Sequence, residues 1–156
     1  MTIRLATPAD LPALGRLGAL LMRTHYDFDP HRFMDPGSDS AEGYAWFLGT
    51  QIHDDEVAIF VADLEGVAVG YVYAGLEPQS WKELRDAAGF VHDVVVSDDA
   101  RRRGVATALM DAAIGWLKSR GAPRVMLWTA KPNHGAQELF DRLGFRKTMV
   151  EMTKEL

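Results

Sequence analysis

The sequence predicts one domain of the mixed α/β or α+β class, with helices packed on a mixed sheet. Three observations predict this class. Segments with strand alternation and segments with helical spacing of apolar residues follow each other along the chain. Two neighbouring strands joined by the turn Asp63–Gly66 form a hairpin. After the hairpin, strands and helices alternate in β-α-β-α-β order with short connections, so we expect residues 1–156 to form a single domain.

The first half of the chain begins with a strand and a capped helix. Thr7 suits an N-cap, Pro8 the first helical position, and Asp10 the positive end of the helix dipole. Prolines and aspartates then indicate a loop. The predicted elements are strand Ile3–Ala6, a helix to about Thr24, loop His25–Ser40, helix Ala41–His53, and hairpin strands Val57–Ala62 and Val67–Ala74.

The second half contains the most strongly patterned segments. Phe90–Val96 is a dense β-branched run, which is typical of a central strand buried on both faces. Apolar residues of Val105–Ser119 recur at helical spacing, and Gly121 ends that helix. The remaining predictions are an irregular stretch Pro78–Ala88, strand Arg124–Thr129, a helix from Asn133 to about Arg142, and a last strand Phe145–Lys154.

Composition and charge argue against several classes of function. The chain has 156 residues and a formal net charge of −5, which argues against a general nucleic-acid binder. It has no Cys, which excludes disulfides and thiolate nucleophiles, and its five His show no metal-ligand spacing. The N-terminus does not resemble a secretory signal, and no apolar stretch is long enough to span a bilayer. We therefore expect a cytoplasmic protein with neither membrane nor nucleic-acid partners.

The most informative segment is Val94–Leu109, where a buried strand leads through an arginine-rich loop into a helix. The first N–H groups of a helix lack intrahelical partners and its dipole favours an anion, so this loop is suited to bind phosphate. Gly104 and Ala106 allow a diphosphate to approach the backbone closely. Positive charge comes from Arg101, Arg102 and Arg103. The alternative is a solvated charge run at a helix start.

Arg101-x-x-Gly104-x-Ala106 and the downstream segment Asn133–Phe145 together resemble two motifs of a known family. They are similar to the [Q/R]-x-x-G-x-[G/A] and N-x-x-A-x-x-L-Y-x-x-x-G-F motifs of the GNAT superfamily of acetyl-coenzyme A-dependent N-acetyltransferases. The opening Ile3-Arg4, with Thr7 and Asp10, also resembles that family. The likeness covers essentially the whole chain and implies the GNAT-type acyl-CoA N-acyltransferase fold, with a central mixed, mostly antiparallel sheet flanked by helices.

The resemblance implies acetyl-CoA as the co-substrate, no metal, and a coenzyme site on the residues that match the motifs. Strand backbone groups are expected to bind the pantetheine arm and to stabilise the oxyanion, and loop N–H groups to hold the diphosphate. A bulge on one of two diverging strands, which end near Val96 and Thr129, is expected to open the gap for the coenzyme. The expected residues are Val94, Val95, Val96, Arg101, Arg102, Arg103, Gly104, Val105, Ala106, Thr107, Asn133 and Phe140.

Phe140 departs from the family pattern, which commonly has a Tyr whose hydroxyl protonates the leaving thiolate. A thiol has a pKa of roughly 8.5, so a thiolate leaves tolerably without a dedicated acid. Water, Tyr71 or Tyr73 could also supply the proton. Phe140 keeps open the alternative of a non-catalytic acyl-CoA-binding module, and a longer acyl-CoA donor is a further alternative.

His92 and Asp93 are the candidate catalytic residues, because the acceptor amine must lose a proton and relatives often have an acidic pair at this point. Regular strand alternation sends their side chains to opposite faces, so we expect at most one to face the cleft. The alternative is structural: Asp93 is then a paired buried carboxylate and His92 a hydrogen-bonded strand histidine.

The acceptor is expected to be a primary amine of a small molecule or a protein. In the family, the loop after the first helix usually walls the acceptor pocket. The candidate acceptor-site residues are His25, Tyr26, Asp29, Tyr73 and Trp81. A solvated loop anchored by aromatic residues is the alternative, and a homodimer is one assembly that the resemblance allows.

Overall fold

A computed structural model describes residues 1–156 as one five-stranded sheet with strands in the order β1-β2-β3-β4-β5. The first four strands pair antiparallel and β5 pairs parallel to β4, which confirms a mixed, mostly antiparallel sheet. The elements are β1 (Thr2–Leu5), α1 (Leu11–Phe28), α2 (Ser40–Gln51), β2 (Val57–Leu64), β3 (Val67–Glu77), β4 (Ala88–Val96), α3 (Val105–Ser119), β5 (Val125–Leu127) and α4 (His134–Arg142).

Two apolar clusters, one on each face, hold the helices against the sheet. On one face, Leu14 and Leu17 of α1 and Leu48 of α2 pack with strand residues such as Val61. On the other face, α3 and α4 supply Leu109, Leu117, Leu139 and Phe140 to a larger cluster. Apolar burial of this kind is the dominant stabilising contribution in a domain of this size. No helix is long and apolar enough to cross a membrane.

The register of β4 contains the irregularity that shapes the site. Tyr73 pairs with Asp93, but the next residue, Ala74, pairs with Val91. His92 is therefore an extra residue without a partner on β3, which defines a β-bulge. Strand β4 pairs with β5 over only three residues, and this pairing ends at Val91 and Leu127. Beyond that point one edge of β4 has no neighbouring strand.

Helix α1 is longer than its sequence pattern predicts. A short 3-10 helix (Pro8–Asp10) precedes it, and the helix then continues to Phe28, so the predicted start of the loop at His25 is wrong. No proline or glycine interrupts this turn before Pro30. The Nδ1 atom of His25 lies 2.8 Å from the Leu21 carbonyl oxygen, and Asp29 N–H closes the helix on the His25 carbonyl.

The predicted last strand, Phe145–Lys154, does not form. After Phe145, which donates its N–H to the Phe140 carbonyl, the chain has no regular secondary structure. Its apolar residues, including Met149 and Met152, are 83% and 89% exposed. Loose alternation gives a strand only where another strand pairs with it, and here no strand pairs beside β5. The tail contacts the α1–α2 loop through an ion pair between Glu151 and Arg32.

Candidate active site

A narrow groove runs from the end of β4 to the start of α3 and along α4; we call it the α3 groove. Eleven of the twelve coenzyme-site candidates line it, and only Arg103 does not. Those that do are Val94, Val95, Val96, Arg101, Arg102, Gly104, Val105, Ala106, Thr107, Asn133 and Phe140. Asn133 also caps α4, because its Oδ1 accepts the Ala136 N–H at 3.2 Å.

The loop before α3 presents six consecutive N–H groups that donate no hydrogen bond within the chain. They belong to Arg102 through Thr107, and the first bonded N–H of α3 is that of Ala108. Gly104 is in the left-handed region with φ +77°, and Arg102 has φ +63°. These two positive φ values turn the loop into the helix start. Unpaired donors at a helix N-terminus form a site for an anion such as a diphosphate.

A second, wider cleft continues from this groove towards α2; we call it the α2 cleft. It has a volume of about 870 Å³ and is lined from α1, α2, the bulge of β4 and the end of β5. Six residues line both cavities, so the two are continuous: Leu21, His25, Val94, Asn133, Ala136 and Phe140. The free edge of β4 lies at this junction.

Asp93 belongs to a polar cluster at the wall of the α2 cleft. Its Oδ2 accepts hydrogen bonds from the hydroxyls of Tyr44 on α2 and Tyr71 on β3, the latter at 3.1 Å. Burial raises the pKa of Asp93 above its ordinary value, although both tyrosine hydrogen bonds act in the opposite direction. No Lys or Arg pairs with this carboxylate, and its Oδ1 accepts no hydrogen bond from the protein.

His92 lies beside Asp93 and also lines the α2 cleft, with 31% of its side chain exposed. Its Nε2 is 3.0 Å from Oε1 of Glu77. A carboxylate only accepts, so Nε2 carries a proton, and in the neutral ring Nδ1 has the lone pair. The ring is fixed between Tyr73 and Phe90, with centroid distances of 4.8 and 5.7 Å.

The prediction that at most one of His92 and Asp93 faces the cleft is wrong. His92 contacts Tyr73, and Asp93 contacts Tyr71 and Tyr44, all of which lie on the α1–α2 face of the sheet. The bulge is the cause, because an extra residue interrupts the alternation and turns both side chains to one face.

Tyr71 and Tyr73 are the residues whose hydroxyls could replace that of the tyrosine common in the family at position 140. Both hydroxyls are turned away from the junction of the α3 groove and the α2 cleft. Phe140 itself is buried and packs on Phe145. Tyr71 donates to Asp93 and Tyr73 donates to Gln51, and neither lines the groove or the cleft. Burial raises the pKa of Tyr73 to about 12, so its hydroxyl stays protonated in neutral solution.

Of the predicted acceptor-site residues, only His25 lines the α2 cleft. Tyr26, Asp29 and Tyr73 are not among its lining residues, and Trp81 lies in the β3–β4 connection, 85% exposed. Four large apolar residues that the sequence reasoning did not select line the cleft instead: Met34, Trp46, Phe47 and Trp128. The one available signal was the weak amphipathicity of α2. Because this helix has no clear apolar or polar face, its pattern places Trp46 neither in the core nor on a solvated face.

We expect the stability difference between Asp93→Asn and the wild type to depend on pH. Because burial raises the pKa of Asp93, the folded protein binds that proton more tightly than the unfolded chain, whose ordinary pKa is 3.8. Ionisation of Asp93 therefore opposes folding near pH 7, and this effect disappears as the pH falls below both pKa values. Urea unfolding between pH 7 and pH 3 should show the variant losing stability relative to wild type as the pH falls. A constant or oppositely sloped difference would contradict this assignment.

Known proteins share this architecture and part of the sequence. An uncharacterized N-acetyltransferase of Methanocaldococcus jannaschii is 37% identical over 105 residues, which cover 67% of this chain and 46% of that protein. The BH1408 protein of Bacillus halodurans, in a tetramutant form, superimposes with a TM-score of 0.82 at 19% identity, covering 100% of both chains. The aminoglycoside N-acetyltransferase AAC(6′)-Iy, solved in complex with CoA, superimposes with a TM-score of 0.75 at 20% identity, covering 99% of this chain and 93% of that one.

These structural likenesses establish the fold, and the sequence establishes the family. The chain spans about half the length of the archaeal relative. The sequence model of the acetyltransferase (GNAT) family matches residues 17–145, and this chain is a member of that family.

Proposed function

We propose that this protein transfers the acetyl group of acetyl-CoA to a primary amine by direct attack on the thioester. One observation carries the proposal: the α3 groove and the α2 cleft are continuous, and they meet at the free edge of β4 beside His92 and Asp93. A donor and an acceptor that enter from opposite sides would have their reacting atoms held together at this junction.

The donor side is suited to coenzyme A as a substrate. The N–H groups from Arg102 to Thr107 would bind the diphosphate, with Arg101 and Arg102 adding positive charge. The pantetheine arm carries amide groups, and the unpaired edge of β4 at Val94–Val96 offers it the hydrogen bonds of an added strand. The N–H of Val94 or Val95 would then stabilise the oxyanion that forms at the thioester carbonyl.

On the acceptor side, His92 is the group that we assign to take the proton. The lone pair of the amine nitrogen attacks the thioester carbonyl carbon, and a tetrahedral intermediate forms. A protonated amine must first lose one proton to gain that lone pair, and Nδ1 of His92 accepts it, while Glu77 holds Nε2 and thereby orients the ring. Asp93 is less suited to this step, because Oδ2 is occupied by two tyrosine hydroxyls.

The intermediate collapses by breaking the carbon–sulfur bond, and coenzyme A leaves as a thiolate. No hydroxyl replaces the one that a tyrosine would supply at Phe140. With a thiol pKa of roughly 8.5, the thiolate needs no protein acid and takes its proton from solvent. The nitrogen loses its second proton to solvent during the collapse, and His92 later returns the first. The products are an amide and coenzyme A, so the acetyl group and both protons are accounted for.

We expect Gly104→Val to weaken acetyl-CoA binding at least about tenfold, or about 1.4 kcal/mol, and Arg102→Ala to weaken it less than about threefold. A branched residue at φ +77° strains the loop and distorts the row of N–H donors. Isothermal titration calorimetry gives the dissociation constants. Gly121→Val is the matched control, since Gly121 has φ +81° but lies outside the groove. A greater loss in Arg102→Ala would show that side-chain charge, and not the backbone, forms the site.

We expect His92→Gln to lower kcat by about a hundredfold or more, because general-base groups contribute roughly that much. The variant should bind acetyl-CoA as wild type does, because His92 does not line the α3 groove. Thiol release tests the change in kcat, with His53→Gln as a control at an exposed histidine outside the cleft. An unchanged kcat in His92→Gln would assign the base elsewhere, and coenzyme binding without turnover by the wild type would indicate a binding module.

A further inference from the structure

The α2 cleft displays large apolar side chains that core packing does not explain. Trp46 and Trp128 are 73% and 78% exposed, and Met34 is 76% exposed. None of the three belongs to the buried clusters or packs against them. They come from α2, the end of β5 and the loop after α1, yet all three line this one cleft. Apolar side chains gathered from separate elements around one concavity indicate a binding surface.

The same cleft has an excess of negative charge. Asp35, Asp39 and Asp93 line it, and none of them pairs with a Lys or Arg. The only guanidinium that lines it is that of Arg32, which forms two hydrogen bonds to the carboxylate of Glu151. A ligand that complements this cleft therefore carries a positive charge.

Asp93 gives that positive charge a specific position. Its Oδ2 is fixed by Tyr44 and Tyr71, whereas Oδ1 accepts no hydrogen bond from the protein. A primary ammonium beside Oδ1 would supply the missing counter-ion and a donor. It would also lie next to His92, the neighbouring residue in the bulge.

We propose that the acceptor is a small primary amine attached to an aromatic or branched apolar body, of the arylalkylamine class. This inference rests on the proposed function and names its substrate. The ammonium lies at Asp93 and the apolar body packs on Trp46, Phe47 and Trp128. The cleft volume of about 870 Å³ is that of a small-molecule site. A polyhydroxylated amine fits worse, because its hydroxyls would lose water without gaining partners from these side chains.

A matched pair of amines tests the substrate class. 2-Phenylethylamine and ethanolamine have the same two-carbon amine arm and differ by a phenyl ring in place of a hydroxyl. With purified protein, acetyl-CoA and a thiol-release assay, kcat/KM should be at least about thirtyfold higher for 2-phenylethylamine, because its ring is buried on binding. A hexapeptide with a free N-terminus is assayed alongside as the protein-type acceptor and should be a poorer substrate.

Variants connect this preference to the cleft. Trp46→Ala and Trp128→Ala should each lower the ratio of the two kcat/KM values by about fivefold or more. Both side chains are exposed, so the fold should persist, and melting temperatures check this. Trp81→Ala is the matched control, because Trp81 is equally exposed but lies outside the cleft, and its ratio should equal that of wild type.

The outcomes separate the two proposals. Equal or better turnover of ethanolamine or the hexapeptide would overturn the substrate class and leave the acetyltransferase proposal intact. An unchanged ratio in both tryptophan variants would also overturn it. Acetyl-CoA binding with no turnover of any amine would overturn the proposed function, and the substrate class with it. Saturable quenching of tryptophan fluorescence by 2-phenylethylamine, absent with ethanolamine, is the expected binding result, and its absence contradicts the inference without reference to turnover.

Discussion

The parting of β4 from β5 after three paired residues is the constraint on which the site depends. Backbone N–H and C=O groups need partners, and a strand edge without a neighbour is a template for an extended ligand. Here the exposed edge at Val94–Val96 leads directly to the row of unpaired N–H groups before α3. In the proposed mechanism, one polar path along the backbone would join the diphosphate site to the thioester, with few side chains required.

The bulge at His92 shapes the wall of the α2 cleft, where the acceptor is proposed to bind. It brings His92 and Asp93 to the same face, where the packing of α2 supplies Tyr44 and β3 supplies Tyr71. The two residues then have different surroundings. The imidazole is held by Glu77, whereas the carboxylate is held by tyrosine hydroxyls and has no cation beside it. Differences in environment of this kind separate the roles of neighbouring titratable groups.

The sequence predicted the elements that local pattern determines. The hairpin, the strand before Val96, helix α3 and the arginine loop follow from periodicity and helix-start chemistry, and the structure contains them all. It did not predict features that depend on pairing between distant segments. A bulge is a mismatch of register between β3 and β4, so alternation in β4 alone wrongly predicted that His92 and Asp93 point to opposite faces. The tail after Phe145 alternates but has no partner strand, and Trp46 and Trp128 meet only through the fold.

Hydrogen exchange of the backbone amides tests the central claim, that free N–H groups before α3 hold the coenzyme. The six amides from Arg102 to Thr107 are unbonded in the protein alone and should exchange rapidly. Saturating coenzyme A should slow their exchange at least about tenfold, since each gains a phosphate acceptor, while the amides of β1 and β2 keep their rates. Binding of coenzyme A by calorimetry with no protection of these six amides would contradict the account.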